Sequence, residues 1–346
     1  MLSSPNPADL SVLLLYSLDP EWAPHEKEEA IRETQRLGSA MSEYGHPVTT
    51  LAITDQDIAA RLSGYHPDAH VVFNWCEQIP GIPRSEAEVA RIMEALRYVY
   101  TGANASVLAL SEDKPRVKTL LHEHRIPTPR WQLYDHPEPI TWTGFPAIVK
   151  PAYEHCSVGI TPEAVVMTAD ELQKRIRYVL ETFRQPALVE DFIDGREFHV
   201  SLWGNGRVEI LPPAEMDFSA FSDFHERLCT YESKFDPDST HYKNIETLLP
   251  APLDDHEYHL LSHTARAAYS LLGCRDYGRI DMRLRDGVFY VLDVNPNPDI
   301  SADASMALAA ELIGYPYGVM ASCVVGLAAQ RHPLLRTRFG LTPSAP

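Results

Sequence analysis

The stretch GRIDMRLRDGVFYVLDVNP, residues 278–296, decides the fold. Asp286 and Gly287 form an Asp-Gly pair, which is the typical turn of a short β-hairpin, and apolar residues flank it on both sides. The sequence therefore predicts two antiparallel strands joined by this turn. Asp281 lies on the first strand, whereas Asp293 and Asn295 lie two residues apart on the second and so share one face.

These three polar side chains are unusual within an apolar hairpin. Two carboxylates held close together repel each other and resist ionisation. A divalent cation removes that conflict, and Mg²⁺ prefers oxygen ligands together with substrate phosphates. The pattern therefore predicts a Mg²⁺ site, with Mn²⁺ as the alternative ion, at Asp281, Asp293 and Asn295. For the hairpin taken alone, a solvated polar face of the sheet is the competing interpretation.

The composition narrows the class of protein. At 346 residues, a prior of roughly one domain per 150 residues gives two or three domains. The net charge of −18 argues against nonspecific binding to nucleic acid or to an anionic membrane surface. The five cysteines are scattered, so we expect reduced thiols in a cytoplasmic protein. The sequence shows no signal peptide pattern and no apolar run long enough to span a membrane.

The order of apolar runs predicts an α/β fold in three parts. Strands over 11–16, 47–51 and 71–74 alternate with helices over 26–44, 55–62 and 86–99, which is typical of a doubly wound parallel sheet. No GxGxxG follows the first strand, so a dinucleotide fingerprint is absent. Prolines then mark a boundary, and the last part is rich in hairpins. We expect an N-terminal domain over 1–108, a central lid domain over 109–191 and a catalytic domain over 192–346.

Three further segments carry residues suited to binding a nucleotide. Lys150 ends an apolar strand, and the small polar loop after it contains Ser157 and Gly159, whose backbone can fold over phosphates. Lys114 begins a helix. The segment from Glu190 to Glu197 leads from one strand to the next and offers polar groups to a nucleoside. Taken singly, a lysine at a strand end or a helix start is more often ordinary surface charge than a ligand-binding group. The segment from Glu190 to Glu197 is also compatible with a plain acidic connector.

Taken together, the segments resemble the ATP-grasp superfamily, and within it the D-alanine–D-alanine ligase-like branch. The resemblance spans about residues 70–305. It rests on the order of six matching stretches: SEDK at 111–114; IVKP at 148–151 with SVG at 157–159; LVEDF at 188–192 with GREF at 195–198; LPPAE at 211–215; YESKF at 231–235; and RID at 279–281 with DVNP at 293–296.

The resemblance implies a three-domain ATP-grasp fold with ATP bound between the central and C-terminal domains. Lys234, on a mobile loop, would close over the γ-phosphate, and Arg279 would lie where negative charge develops in the reaction. Asp281, Asp293 and Asn295 would hold Mg²⁺. The remaining residues implied to bind the nucleotide are Lys114 and Lys150 at the phosphates, Ser157 in the loop over them, Glu190 and Phe192 at the adenine, and Glu197 at the ribose.

The implied reaction has two steps: a carboxylate attacks the γ-phosphate of ATP to give an acyl phosphate, and an amine then attacks that intermediate to form an amide. Such chemistry depends on positioning and charge neutralisation rather than on a side-chain nucleophile. The expected partners are therefore a small carboxylate and a small amine, with no nucleic acid and no membrane. The resemblance also implies a homodimer.

The sequence departs from the family where the substrates would bind. A glycine-rich loop follows the first strand in D-alanine–D-alanine ligases, whereas residues 17–22 here contain no glycine. Asp299 replaces the glycine whose backbone amide serves the reacting carboxylate, and Phe235 replaces the tyrosine after Lys234. An acidic Asp299 would disfavour a nearby carboxylate or would bind an amine. We therefore expect a ligase of altered specificity, acting on an amino acid or a small specialised metabolite.

Three competing functions remain open at this point. The first is a strict D-alanine–D-alanine ligase of cell-wall synthesis. The second is a nucleotide-binding regulator without turnover, against which the complete set of metal ligands and Arg279 argues. The third is an ATP-grasp kinase that phosphorylates without forming an amide.

Overall fold

The N-terminal part of the chain forms a four-stranded parallel sheet. In the computed structural model, which describes residues 9–236 and 238–341, its strands are β1 (Ser11–Ser17), β2 (Val48–Ile53), β3 (His70–Trp75) and β4 (Val99–Tyr100). They are arranged in the order β2-β1-β3-β4. The helices that follow these strands are α1 (Pro24–Tyr44), α2 (Ile58–Leu62), α3 (Glu86–Ala95), α4 (Ala105–Glu112) and α5 (Lys114–Glu123).

The predicted alternation of strands and helices is confirmed, but some helix limits differ from the prediction. The helix expected over 55–62 begins at Ile58, because Asp57 caps it by accepting from the Ala60 backbone N–H. The helix expected over 86–99 stops at Ala95, because Arg97 adopts a left-handed conformation with φ of 62° and the chain then extends into β4. All pairings in this sheet are parallel, and its strands are rich in buried aliphatic residues on both faces, as the burial of Leu13 and Leu14 shows.

The central part is a separate four-stranded antiparallel sheet backed by one helix. Its strands are β5 (Trp131–Tyr134), β6 (Ala147–Pro151), β7 (Val165–Val166) and β8 (Ala187–Asp191), in the order β5-β8-β6-β7. The helix α6 (Ala169–Phe183) buries Leu172, Ile176 and Val179, which recur at helical spacing, against the sheet.

The third sheet is antiparallel and contains the predicted hairpin. Its strands are β9 (Arg196–Trp203), β10 (Glu209–Ile210), β11 (Ala214–Asp217), β12 (Glu246–Leu248), β13 (Tyr277–Arg285) and β14 (Val288–Asn295). The main path runs β12-β11-β9-β13-β14, and β10 pairs with β9. Three helices connect these strands: α7 (Glu232–Phe235), α8 (Thr240–Asn244) and α9 (Asp255–Leu272). Asp286 and Gly287 form the turn with φ of 53° and 74°, as their sequence predicts.

A β-bulge in the hairpin determines which way its acidic residues point. Asp281 pairs with Asp293, but the next pair is Met282 with Val291, so Leu292 is an extra residue. Before the bulge, Phe289 and Val291 face the core; after it, Val294 does. Without the extra residue, the alternation of β14 would turn Asp293 toward the core. The bulge instead places Asp293 and Asn295 on the open face.

The end of the chain returns to the N-terminal sheet. Its helices are α10 (Ser305–Leu312), α11 (Tyr317–Ala329) and α12 (Pro333–Phe339). Helix α11 packs against α1 closely enough that a Cβ at Gly318 would lie 2.3 Å from the Ala40 carbonyl oxygen. No single helix in the described ranges is long and apolar enough to cross a bilayer. The pair α10 and α11 passes that test together but is bent by 104°.

Candidate active site

The open face of the third sheet presents a row of polar side chains across three strands. The backbone register aligns His199 on β9, Asp281 on β13 and Asp293 on β14 at one level. Asn295 lies at the next level of β14 and its side-chain amide donates to Asp281 Oδ2 at 3.0 Å. The structure therefore brings together the three residues predicted to bind metal, and it adds His199, which the sequence analysis missed.

Each of the two carboxylates in this row is paired with a cation. Lys114 Nζ lies 2.5 Å from Asp293 Oδ2, and Arg279 donates to Asp281 from Nε and Nη2 at 2.6 and 2.9 Å. Burial alone would raise the pKa of Asp293, but Lys114 and other nearby cations outweigh it and lower this pKa well below its ordinary value. Burial would also raise the pKa of Asp281, but Arg279 and other nearby cations outweigh it, so the pKa of Asp281 is lowered. Both carboxylates are therefore ionised at neutral pH.

The donor set fits a hard divalent cation. Two ionised carboxylates stand directly opposite each other. The Asn295 amide lies beside them with its nitrogen on Asp281, so it could offer its oxygen to a cation once the amide turns. Oxygen-only ligation is what Mg²⁺ and Mn²⁺ prefer. Lys114 and Arg279 neutralise the charge of these two carboxylates. If a divalent cation took over the carboxylates, Lys114 and Arg279 would be free to bind phosphate.

A buried triad of charges lies beside this row. The Glu190 carboxylate has no solvent exposure and is flanked by two ammonium groups: Lys118 Nζ at 2.7 Å from Oε1, and Lys150 at a short contact with Oε2. Burial would raise the pKa of Glu190, but Lys118 and Lys150 together lower it. The sequence analysis expected Glu190 at an adenine and Lys150 at phosphates, and it missed Lys118. A mid-helix lysine gives no sequence signal of burial.

Lys118 also reaches the bulge in β14. Its ammonium donates to the carbonyl oxygens of Val291 and Leu292 at 3.2 and 2.9 Å, and to Thr128 Oγ1 at 2.9 Å. These carbonyls belong to the bulge residue and its neighbour, where regular pairing is interrupted. The Lys118 side chain therefore links Glu190 to the β-bulge that orients Asp293.

The residues expected around the nucleoside occupy the junction of the second and third sheets. Phe192 is buried and packs against Phe224, with ring centroids 6.0 Å apart. Glu197 on β9 accepts from Arg283 Nε at 2.7 Å through Oε2, and its Oε1 lies 3.8 Å from His199 Nε2. One oxygen of Glu197 is thus held in place while the other remains available to a ligand.

The loop after β6 is shaped by left-handed residues. Cys156, Ser157 and Gly159 have φ of 53°, 61° and 76°. Ser157 Oγ donates to the Cys229 carbonyl oxygen at 2.8 Å, so its hydroxyl ties the loop to the third part of the chain. Desolvation raises the pKa of the Cys156 thiol, although the nearby charges of Lys234 and Arg279 lower it.

Lys234 lies on the short helix α7 and is exposed. The charge of Lys234 helps to lower the pKa of Asp281. The side chain of Phe235, which the sequence analysis singled out, and residue Pro237 lie outside the described part of the chain.

The expected substrate side of the site is acidic. Asp299 is exposed, and its carboxylate accepts from the Ser301 backbone N–H at 2.9 Å, so it closes a local turn. Partial removal from water raises the pKa of Glu77, and the charge of Asp299 raises it further by repulsion. Asp19, in the loop after β1, accepts from the backbone N–H groups of Glu21 and Gly81 at 2.9 and 2.8 Å. This loop is therefore fixed by a carboxylate rather than shaped by glycines.

Comparison with known proteins gives a consistent result. A family profile described as the D-Ala D-Ala ligase C-terminus matches residues 128–323. An uncharacterised protein of Sinorhizobium fredii is 32% identical over 307 residues, which are 85% of this chain and 86% of that protein. A D-alanine–D-alanine ligase of Alcanivorax borkumensis is 33% identical over 242 residues, 69% of this chain and 72% of the relative.

A solved structure supports the fold. The D-alanine–D-alanine ligase of Bacillus anthracis, complexed with ATP, superposes with a TM-score of 0.71 at 20% identity, over 94% of this chain and 98% of that one. The predicted ATP-grasp fold is therefore confirmed.

Proposed function

The chain belongs to the D-alanine–D-alanine ligase family of ATP-grasp enzymes, and from this premise we propose that it joins a small carboxylate to an amine other than D-alanine, with cleavage of ATP to ADP and phosphate. The observation that carries the proposal is the position of two lysines, one on α5 and one on the central sheet, beside the acidic residues of the third sheet. Lys114 already contacts Asp293, and Lys150 lies beside it in the Glu190 triad. A triphosphate placed between these parts meets cations on one side and, through metal, carboxylates on the other.

The protein groups have distinct tasks in the first step. Lys114 and Lys150 bind the phosphate chain, and Phe192 with Glu197 places the nucleoside. Arg279, held flat by Asp281, directs its guanidinium toward the charge that develops as the substrate carboxylate attacks the γ-phosphorus and ADP leaves. Mg²⁺ held by Asp281, Asp293 and Asn295 would neutralise phosphate charge. Lys234 on α7 closes over the γ-phosphate.

In the second step the amine nitrogen attacks the acyl carbon, the C–O bond to phosphate breaks, and a proton leaves the nitrogen. The loop containing Cys156 and Ser157 covers the reacting groups, which excludes water that would otherwise hydrolyse the acyl phosphate. The protein supplies positions and charges, and no side chain becomes covalently modified.

The acidic Asp299 favours an amine substrate that places no carboxylate beside it. It equally favours an amine that carries a second positive charge. Asp299 and Glu77 approach the same space, since Asp299 raises the pKa of Glu77. At about 4 Å, like charges cost from about 1 kcal/mol in water to about 4 kcal/mol at an effective dielectric near 20. Because Asp299 is exposed, the lower end applies, which corresponds to roughly fivefold discrimination.

A strict D-alanine–D-alanine ligase is the second candidate. The observation in its favour is the name of the relatives in Alcanivorax borkumensis and Pseudothermotoga lettingae, which are 33% and 25% identical. Asp299 and the Asp19-fixed loop argue against it, because a second amino-acid carboxylate would face an acidic group.

The experiment is an ADP-release screen over pairs of carboxylates and amines, with product mass determined for every positive pair. We expect amide product with an amine lacking a carboxylate near its nitrogen. D-alanine alone as an efficient substrate, with rescue of a ligase-deficient strain, would establish the second candidate instead. ADP formation with a phosphorylated product and no amide would identify a kinase, and no ADP release with any pair would favour a regulator.

Asp299 is tested by substitution. Asp299→Asn keeps the acceptor for the Ser301 N–H while removing the charge, and Asp299→Gly restores the residue typical of the family. Both variants should improve kcat/KM for carboxylate-bearing amines about fivefold relative to neutral amines. Asp303→Gly, on the same loop, is the control. Equal substrate preference in all four proteins would assign Asp299 to the turn alone.

The domain limits 1–108, 109–191 and 192–346, a cytoplasmic location and a homodimer complete the proposal. Exposed apolar side chains such as Leu312 and Ile313, at 52% and 46% exposure, support an association between copies. Sedimentation of the purified protein at twice the monomer mass is the expected result, and a monomer at micromolar concentration would refute the dimer.

A further inference from the structure

A second group of metal-ligand side chains lies beside Asp281, on the neighbouring strand β9 and on the loop before α7. Glu197 and His199 are two apart on β9 and share a face, and Cys229 approaches them from the loop before α7. One ligand atom from each residue, a carboxylate oxygen, an imidazole nitrogen and a thiol sulfur, lies within 4.8 Å of the other two. Glu197 and His199 are buried and Cys229 is partly buried.

The contacts within this group leave ligand positions open. Glu197 Oε2 is held by Arg283, whereas Oε1 lies 3.8 Å from His199 Nε2, which is too far for a hydrogen bond. The Cys229 backbone is fixed by the hydrogen bond from Ser157. The Cys229 thiol also hydrogen-bonds to the Glu197 side chain. The three donor groups therefore converge on one space, where a bound ion would take the place of the thiol proton.

The chemistry of the donors selects the ion. Thiolate and imidazole are the ligands of Zn²⁺, whereas the neighbouring Asp281, Asp293 and Asn295 offer only hard oxygens. We propose that Glu197, His199 and Cys229 form a Zn²⁺ site with three protein ligands and one open position, separate from the Mg²⁺ ligands. Arg283 stays paired with Glu197 Oε2 and orients the ligating oxygen, as outer partners of metal ligands do.

This site has a regulatory consequence that rests on the proposed function. Glu197 is the residue assigned to the ribose of ATP, so an ion bound at its Oε1 takes away the ribose acceptor. Zn²⁺ and nucleoside then exclude each other, and free Zn²⁺ inhibits the ligase by competing with ATP. Metal binding itself does not depend on any catalytic activity.

Co²⁺ is the direct probe, because a thiolate ligand to Co²⁺ gives a charge-transfer band in the near ultraviolet. Titrating the full chain with Co²⁺ under reducing conditions without added thiol should give this band, together with tetrahedral visible bands, saturating at one equivalent. Zn²⁺ should then displace Co²⁺ and abolish the bands. Absence of the band at stoichiometric Co²⁺ would overturn the proposal.

Variants assign the ligands. Cys229→Ser should abolish the band, and His199→Asn should weaken Co²⁺ binding about 100-fold, since even outer partners of metal ligands are worth about 10- to 100-fold. Cys156→Ser removes a neighbouring thiol and should leave the band unchanged; circular dichroism checks that every variant is folded. A band that persists in Cys229→Ser, or disappears in Cys156→Ser, would contradict the assignment.

Adenosine tests the overlap with the nucleotide, because it offers ribose hydroxyls but no phosphate that could chelate the metal. Saturating adenosine should weaken Co²⁺ binding, and excess Zn²⁺ should raise the apparent Kd for adenosine by the same factor. Unchanged Co²⁺ affinity with adenosine bound would overturn the shared use of Glu197. A protein without ligase activity that still gives the band would leave the metal site standing while refuting the proposed function.

Discussion

Lys118→Met tests whether one buried lysine maintains the geometry of the acidic row. Lys118 is 2% exposed, forms an ion pair with Glu190, and donates to Thr128 and to the two carbonyls of the β14 bulge. Methionine has a similar length and is apolar, but it has no hydrogen to donate. The substitution therefore removes charge and hydrogen bonds with little change in volume.

The expected cost follows from what remains after the change. Glu190 keeps Lys150 as its only cation, and the Leu292 carbonyl loses its donor, while the Val291 carbonyl still accepts from Thr128 Oγ1 at 2.9 Å. Removing one partner of a buried ion pair costs about 3–5 kcal/mol. We expect the free energy of unfolding to fall by that amount. Lys150 is then drawn more strongly to Glu190, so the KM for ATP should rise.

Denaturant unfolding followed by circular dichroism measures the loss, and initial rates against ATP concentration measure the KM. Lys174→Met, at an exposed position of α6, is the matched control and should stay within about 0.5 kcal/mol of the parent protein. A double-mutant cycle with Glu190→Gln should give a coupling of about 1–3 kcal/mol. A loss below about 1 kcal/mol for Lys118→Met, or strictly additive effects in the cycle, would refute this reasoning.

Two further predictions concern single carboxylates. Asp293→Asn should leave the fold intact, lower turnover roughly 100-fold and raise the Mg²⁺ requirement, because one major electrostatic group is lost; Asp286→Asn at the exposed hairpin turn is the control, and near-parental activity at low Mg²⁺ would exclude Asp293 as a ligand. Burial raises the pKa of Glu86 from an ordinary 4.5 to about 8, so the folded state holds a proton that the unfolded state releases, and stability falls as pH rises from about 4.5 to 8. Glu86→Gln, which keeps the acceptor for Asn297 Nδ2 at 2.7 Å, should remove this decline in thermal unfolding temperature, and parallel pH profiles for the two proteins would contradict it.

Local sequence determined much of this protein. The Asp-Gly pair at 286–287 fixes the hairpin because few residues adopt left-handed φ readily, and the alternation of apolar runs with helical patterns fixes the parallel N-terminal sheet. The order of short motifs identified the family. Each of these signals depends on residues close together in the chain, which is why the sequence carries them.

Register was decided by the tertiary structure. Counting back from the two-residue turn pairs Asp281 with Leu292, and only the bulge brings Asp293 opposite Asp281. The bulge is held from outside the hairpin: the Pro127 carbonyl accepts from the Val291 N–H at 2.8 Å, and Lys118 covers the carbonyls of Val291 and Leu292. Those partners are more than 160 residues away in the chain, and no local pattern announces them.

The same reason explains the residues that the sequence analysis missed. Lys118 is one of two lysines on an amphipathic helix, and its burial results from packing against β8 and β14. His199 and Cys229 are 30 positions apart in a sequence without metal-ligand spacing, and the sheet and the following loop bring them together. The sequence by itself determined the elements and the chemistry of their residues, whereas long-range packing decided which of those residues meet, because contacts between distant segments exist only once the chain has folded.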